Sequence, residues 1–203
     1  MRYNVTKVGY DMRKKSHISL AKYLVNSKGM EELLAHKKAF YIGSIWPDCT
    51  ISFFYRRHSK EETFSIMREE LEKLAKSYQK KGIDGKFCRH LGIVTHYIAD
   101  YFTYPHNDFY PGNIKDHCNY EKELKFYLRE YVKTEEAQRE RLDNLNVDSL
   151  EEICELIEKK HKEYTQDLKM VKQDCAYIVA INHMVVDMVL CYLERQNSML
   201  KAA

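Results

Sequence analysis

Between positions 95 and 123 the chain reads THYIADYFTYPHNDFYPGNIKDHCNYEKE, which sets three histidines and several carboxylates close together. Two of the histidines are followed four residues on by an acid: His96 by Asp100, and His117 by Glu121. His106 lies between the pairs, just after a proline. On an α-helix, residues four apart share a face with Cβ atoms roughly 5–6 Å from each other. A histidine and a carboxylate at that spacing can therefore close on one ion from adjacent turns. Imidazole and carboxylate oxygen are both zinc ligands, and a set without thiolate favours a hydrolytic over a structural site. One such pair is also a common surface hydrogen bond. Two pairs flanking a third histidine make metal ligation the better reading.

Helices have to position these groups. Ser16 caps a first helix over SHISLAKYLVNSKG, ended by Gly29, and MEELLAHKKAFYIGSIW makes a second that stops before Pro47. Residues 47 to 60 are aromatic and irregular and read as a loop. KEETFSIMREELEKLAKSYQKKG is an amphipathic helix ending at Gly82, with Phe64, Met67, Leu71 and Leu74 on one face. A more buried helix runs from about Gly85 to Tyr104 and carries His96 and Asp100. Pro105 to Pro111 form a turn-rich loop, and a long helix from near Asp116 continues through KELKFYLREYVKTEEAQRERL. Asp148 or Ser149 caps another, with Leu150, Ile153, Ile157, Tyr164 and Leu168 in phase, and a last helix covers about 172 to 196.

Composition agrees with this order. Glycine (7) and proline (3) are too scarce for the many turns of a β-sandwich. With no repeat, no low-complexity tract and no linker, residues 1–203 read as a single all-α domain of about seven helices. The 33 basic and 30 acidic side chains nearly balance, so charge gives no reason to expect a nucleic-acid partner. Six cysteines are dispersed without a C-x-x-C pair and read as reduced, packed thiols. The first fifteen residues hold no apolar signal core, which sets the expectation of a cytoplasmic protein.

The last helix, DCAYIVAINHMVVDMVLCYL, approaches membrane-spanning length, but Asn182, His183 and Asp187 interrupt it. A span that polar is disfavoured, so the expectation is a core helix and no transmembrane segment. His183 and Asp187 repeat the four-residue spacing, and a His–Asp hydrogen bond inside the core explains them better than a metal does.

HYIADYFTYPHN followed by HCNYE resembles the core of the bacterial zinc-dependent phospholipases C. That pattern is His-x-x-x-Asp, a histidine six residues after the Asp, a short loop, and His-x-x-x-Glu. Asp48 in GSIWPD, His58 in YRRHSKEE and His17 in SHISLAKYL occupy further positions of the pattern. The resemblance implies a multi-helix domain of the fold shared by zinc-dependent phospholipase C and P1 nuclease. It implies that His58, His96 and Asp100 bind a first zinc, with Asp48 beside it as ligand or general base. His106, His117 and Glu121 bind a second, and Asp100 bridges to a third held by His17. Members that begin with tryptophan use that residue to complete the third site. This chain begins with Met1 and has its single tryptophan at position 46, so two zinc ions are expected and a third lacks that donor. An aromatic that normally follows the Asp48 position is replaced by Cys49, and Tyr55 supplies an aromatic for the substrate instead. His36 and His161 sit among charged residues and read as solvated, and His90 as structural.

Two zinc ions set against the carboxylates of Asp48, Asp100 and Glu121 leave one positive charge to receive a phosphodiester, and zinc lowers the pKa of bound water to about 7. The resemblance therefore implies a phospholipase C-like phosphodiesterase. The alternatives are a single-strand nuclease of the S1/P1 type, whose last pair normally ends in Asp where this chain has Glu121, and a non-catalytic metal- or lipid-binding homologue. SFFYRR (52–57) sets aromatics beside basic residues, which fits transient contact with a membrane surface and fits a packed loop equally well.

Overall fold

The computed structural model describes the backbone of residues 5–50 and 58–202 and the side chains of residues 14–50 and 58–201. Eight α-helices follow one another along the described residues: α1 Val5–Asn26, α2 Glu31–Ala35, α3 Lys37–Ile45, α4 Lys60–Lys81, α5 Gly85–Tyr101, α6 Ile114–Tyr131, α7 Leu150–Gln166 and α8 Val171–Ala202. Among the described residues two 3-10 turns, Pro47–Cys49 and Tyr104–His106, sit between them. Among the described residues there is no strand, only an isolated parallel bridge between Lys28 and Glu140. The all-α expectation holds.

Helix α5 is the centre. It packs on α3 and α4 and also meets α1 and α8, while α6 and α7 lie against α8, and α1 against α3 and α6. From His90 to Tyr101 every residue of α5 is buried. Its start is fixed by the Asp84 carboxylate, which accepts the Phe87 N–H at 2.8 Å. Close contact with α3 depends on two glycines. A Cβ on Gly43 would stand 2.1 Å from the Arg89 carbonyl oxygen, and one on Gly92 would stand 2.3 Å from that of Phe40. The two backbones touch where any side chain would hold them apart.

Several boundaries differ from the sequence reading. Ser16 lies inside α1 and does not cap it, because no proline precedes it and the helix-forming run MRKK carries the helix back, through Gly9, to Val5. The expected second helix is broken at His36, whose φ of −111° and ψ of 22° end α2 and open α3 without any glycine or proline. Helix α6 starts at Ile114 with a capping box between Asn113 and Asp116. It stops at Tyr131, far short of position 142. The β-branched Val132 and Thr134 are poor helix formers, and Thr134 Oγ1 donates to the Tyr131 carbonyl at 2.8 Å, where a continuing helix would place a backbone N–H. The chain then runs back beside α1, where Arg141 N–H donates to the Lys28 carbonyl at 3.0 Å. Ser149, of the two cap candidates, caps α7 through the Glu152 N–H. Leu168 falls beyond that helix and is exposed, as the chain turns into α8.

Helix α8 is long and apolar enough to cross a membrane, yet 67% of its most apolar window is buried inside the protein. Ile178, Val179, Val185, Val186 and Val189 make up its core face. His183 and Asp187 lie 3.3 Å apart in that core, and the Asp187 carboxylate accepts the Leu142 N–H at 3.1 Å. All six cysteines carry free thiols, four of them buried.

Candidate metal centre

Five histidines and three carboxylates, all those that the sequence marks as ligand candidates, converge in three groups. They are His58 with His96 and Asp100, His106 with His117 and Glu121, and His17 with Asp48 and His96. In each group one ligand atom per residue lies within 4.8 Å of the others. Tyr55, the candidate for the substrate, lies outside the described residues, as does the SFFYRR stretch.

Asp100 is the hub. Its Oδ2 is 2.9 Å from His58 Nδ1, 3.3 Å from His96 Nε2 and 3.7 Å from His106 Nδ1, and its Oδ1 is 3.3 Å from His17 Nε2. Four separate parts of the chain thus meet on one carboxylate: α1, the residues before α4, α5, and the turn after α5. Burial alone would raise the Asp100 pKa, but His106, His96 and His17 outweigh it and hold this carboxyl well below its usual range. Burial likewise works against a charged His96, and the nearby Asp100 and Asp48 more than offset it, raising the imidazole pKa.

The second group is built from α6 and the turn before it. Four-residue spacing brings His117 Nε2 to 2.8 Å from Glu121 Oε1, and His106 Nε2 reaches the same oxygen at 3.2 Å. His106 therefore turns one nitrogen to each neighbouring carboxylate, Asp100 and Glu121. His17 joins the third group through proximity to Asp48 and His96 as well as Asp100, and its ring stacks on that of His96 at 4.0 Å.

Asp48 tests whether a cation fits. It is 4% exposed, its Oδ1 stands 3.8 Å from His58 Nδ1 and 3.9 Å from His96 Nε2, and neither of its oxygens makes a hydrogen bond. A buried carboxylate without a hydrogen bond is costly, and a cation among imidazoles would relieve that cost. The residues fit zinc.

Some contributors carry no sequence signal. The Ser44 carbonyl of α3 takes a bond from His96 Nδ1 at 2.9 Å, so that Nδ1 carries the hydrogen and Nε2 is left to face Asp100. His161, read as solvated, is buried, and its Nε2 meets Asn107 Oδ1 at 2.8 Å. Asn107 in turn donates to the Thr103 and Tyr101 carbonyls, at 2.9 and 3.3 Å, and so folds the turn that presents His106. His161 follows Ile157 by four and precedes Tyr164 by three, a buried-face position that its charged neighbours conceal. His90 is structural as expected, buried 2.6 Å from Glu70, and His36 is half-buried at the break between α2 and α3.

A helical bundle whose centre is lined by five histidines and three carboxylates offers the donor set of a metal-binding protein, and one compatible with metal-dependent hydrolysis. The sequence model of the family described as zinc dependent phospholipase C matches residues 16–170, and the chain belongs to that family. No curated protein and no solved structure gives a significant match.

Proposed function

We propose that this chain hydrolyses a phosphodiester of phospholipid head-group type, yielding a diacylglycerol-like alcohol and a phosphorylated head group. The observation that carries the reading is Asp48, a buried carboxylate without a hydrogen bond, standing beside His58 and His96 inside a family that depends on zinc. Zinc held by the three groups supplies positive charge for the phosphoryl oxygens and makes water ionisable near neutral pH. Asp48 is the chain's own base: a carboxylate oxygen not engaged by the metal would take the proton of the attacking water as the new oxygen–phosphorus bond forms, and that proton would pass to the departing oxygen as its bond to phosphorus breaks, giving the alcohol. Asp100 holds four histidines to one point, and Ser44 keeps the His96 hydrogen on the far nitrogen. Beside His17, Asp100, His106 and Glu121 lies a small pocket walled by Leu20, Ala99, Leu124, Leu128 and Ile178. That lining sets apolar side chains directly beside the ligand groups.

Metal content and turnover test the proposal together. Elemental analysis of wild type is expected to give two or three zinc atoms per chain, with loss in Asp100→Ala. Release of phosphorylated head group from lipid vesicles is expected to fall by roughly 10²–10⁴ in Asp48→Asn, the range typical of a lost general base. Cleavage of single-stranded DNA in preference to lipid would move the reading to a nuclease. Bound zinc without turnover on either would make the chain a non-catalytic homologue.

A further inference from the structure

Asp174 stands on α8, beyond the residues that the family match covers, and belongs to none of the three ligand groups. It is fully buried and accepts three hydrogen bonds, each from a different element. Oδ2 accepts the Tyr104 backbone N–H at 2.8 Å and the Tyr120 hydroxyl at 2.8 Å, and Oδ1 accepts the Tyr164 hydroxyl at 2.8 Å.

Two of those donors bear on the centre. Tyr104 opens the short 3-10 turn that ends in His106. Tyr120 precedes Glu121 and follows His117 by three residues on α6. A single carboxylate oxygen therefore ties together the two stretches that supply His106, His117 and Glu121. An acid in a helix's first turn usually faces solvent and interacts with the helix dipole. Full burial with three donors from elsewhere is a different arrangement, since a carboxylate taken out of water is tolerated only where such bonds replace it.

We propose that Asp174 is the positioning residue of the His106–His117–Glu121 group, fixing the distance between the His106 turn and α6. The proposal rests on the zinc-centre reading above. Groups that orient metal ligands change affinity by roughly 10–100-fold when removed, because a ligand displaced by a fraction of an ångström no longer closes on the ion.

The test is a chelator-competition titration of zinc on the full chain, with bound zinc counted and circular dichroism and melting temperature recorded in parallel. Asp174→Ala and Tyr120→Phe are expected to weaken one zinc of the set by roughly 10–100-fold while the helices remain. Asp174→Asn is expected to restore affinity, because the amide oxygen can take the Tyr104 and Tyr120 donors while its NH2 faces the Tyr164 oxygen. Tyr164→Phe cuts only the bond to Oδ1 and is expected to lower the melting temperature and leave affinity unchanged. If Asp174→Ala does not fold, Tyr120→Phe decides. Wild-type affinity in Tyr120→Phe and in folded Asp174→Ala would reduce Asp174 to a structural residue and overturn the proposal. Wild type that takes up no zinc would overturn the zinc-centre reading, and this proposal with it.

Discussion

His161 shows what a single side chain can hide. Its neighbours in sequence are Lys159, Lys160, Lys162 and Glu163, and local charge makes it look solvated, yet it is 5% exposed beneath the turn that bears His106. Burial, with Lys60 as the next cause, pushes its imidazole down to about 4. The folded state thus holds His161 neutral, whereas the unfolded chain protonates it near 6.5. The associated stability, roughly 3 kcal/mol by linkage, is complete above pH ~6.5 and is lost as the pH falls toward 4. His161→Gln keeps a donor for Asn107 and removes the titration. Its unfolding free energy, measured in urea on protein stripped of metal, should fall less than that of wild type between pH 6.5 and 4. Equal slopes would mean that His161 titrates as an ordinary histidine. By contrast, His96–Asp100 and His117–Glu121 were legible at once, because four-residue spacing on a helix is itself a distance. The Ser44 carbonyl was not legible, since every residue has a carbonyl and only the crossing of α3 and α5 selects this one. Asp174 looked like any acid at the start of a helix, and its donors lie 10, 54 and 70 residues away.

Helices are where the sequence spoke most clearly and where its boundaries failed. The strong face of α4 and the cap at Ser149 are local signals, and the elements they mark are present. The break at His36 answers to a distant segment, since it turns α3 onto α5, whereas the early end of α6 follows from Val132 and Thr134 and leaves the chain beyond to pair with Lys28. The glycines at that crossing carry a prediction. In Gly92→Ala the new methyl would meet the Phe40 carbonyl oxygen at 2.3 Å and the Ser44 nitrogen at 2.8 Å, both of them backbone atoms that cannot swing aside. Overpacking of this kind typically costs ~1–3 kcal/mol, and backbone on both sides places Gly92→Ala at the upper end, about 3 kcal/mol in denaturant unfolding. Because Ser44 also orients His96, zinc affinity should fall with it. A variant as stable as wild type would mean that α3 and α5 can separate without cost.

For the molecule as a whole, the centre and the core are one place. Asp100 receives histidines from four parts of the chain, so an ion bound there is bound only by the folded state. Ligand linkage then stabilises the fold by RT ln(1 + [L]/Kd), about 4 kcal/mol at a thousandfold excess over Kd. Zinc should raise the melting temperature of wild type, a chelator should lower it again, and Asp100→Ala should show a smaller change of each kind, because the His106–His117–Glu121 group is left intact. An undiminished increment in Asp100→Ala would place the stabilising ion away from Asp100.

The family match ends at residue 170, and α8 begins at Val171. Yet α8 packs on α5, α6 and α7, adds Ile178 to the pocket wall, and brings Asp174 beneath the His106 turn. A similarity profile records where residue identities recur, whereas burial records where a solid object has to be. In this protein the two outlines do not coincide. A helix can be replaceable as a text and indispensable as a shape, and a boundary drawn from the text would cut through the wall of the site that it was meant to enclose.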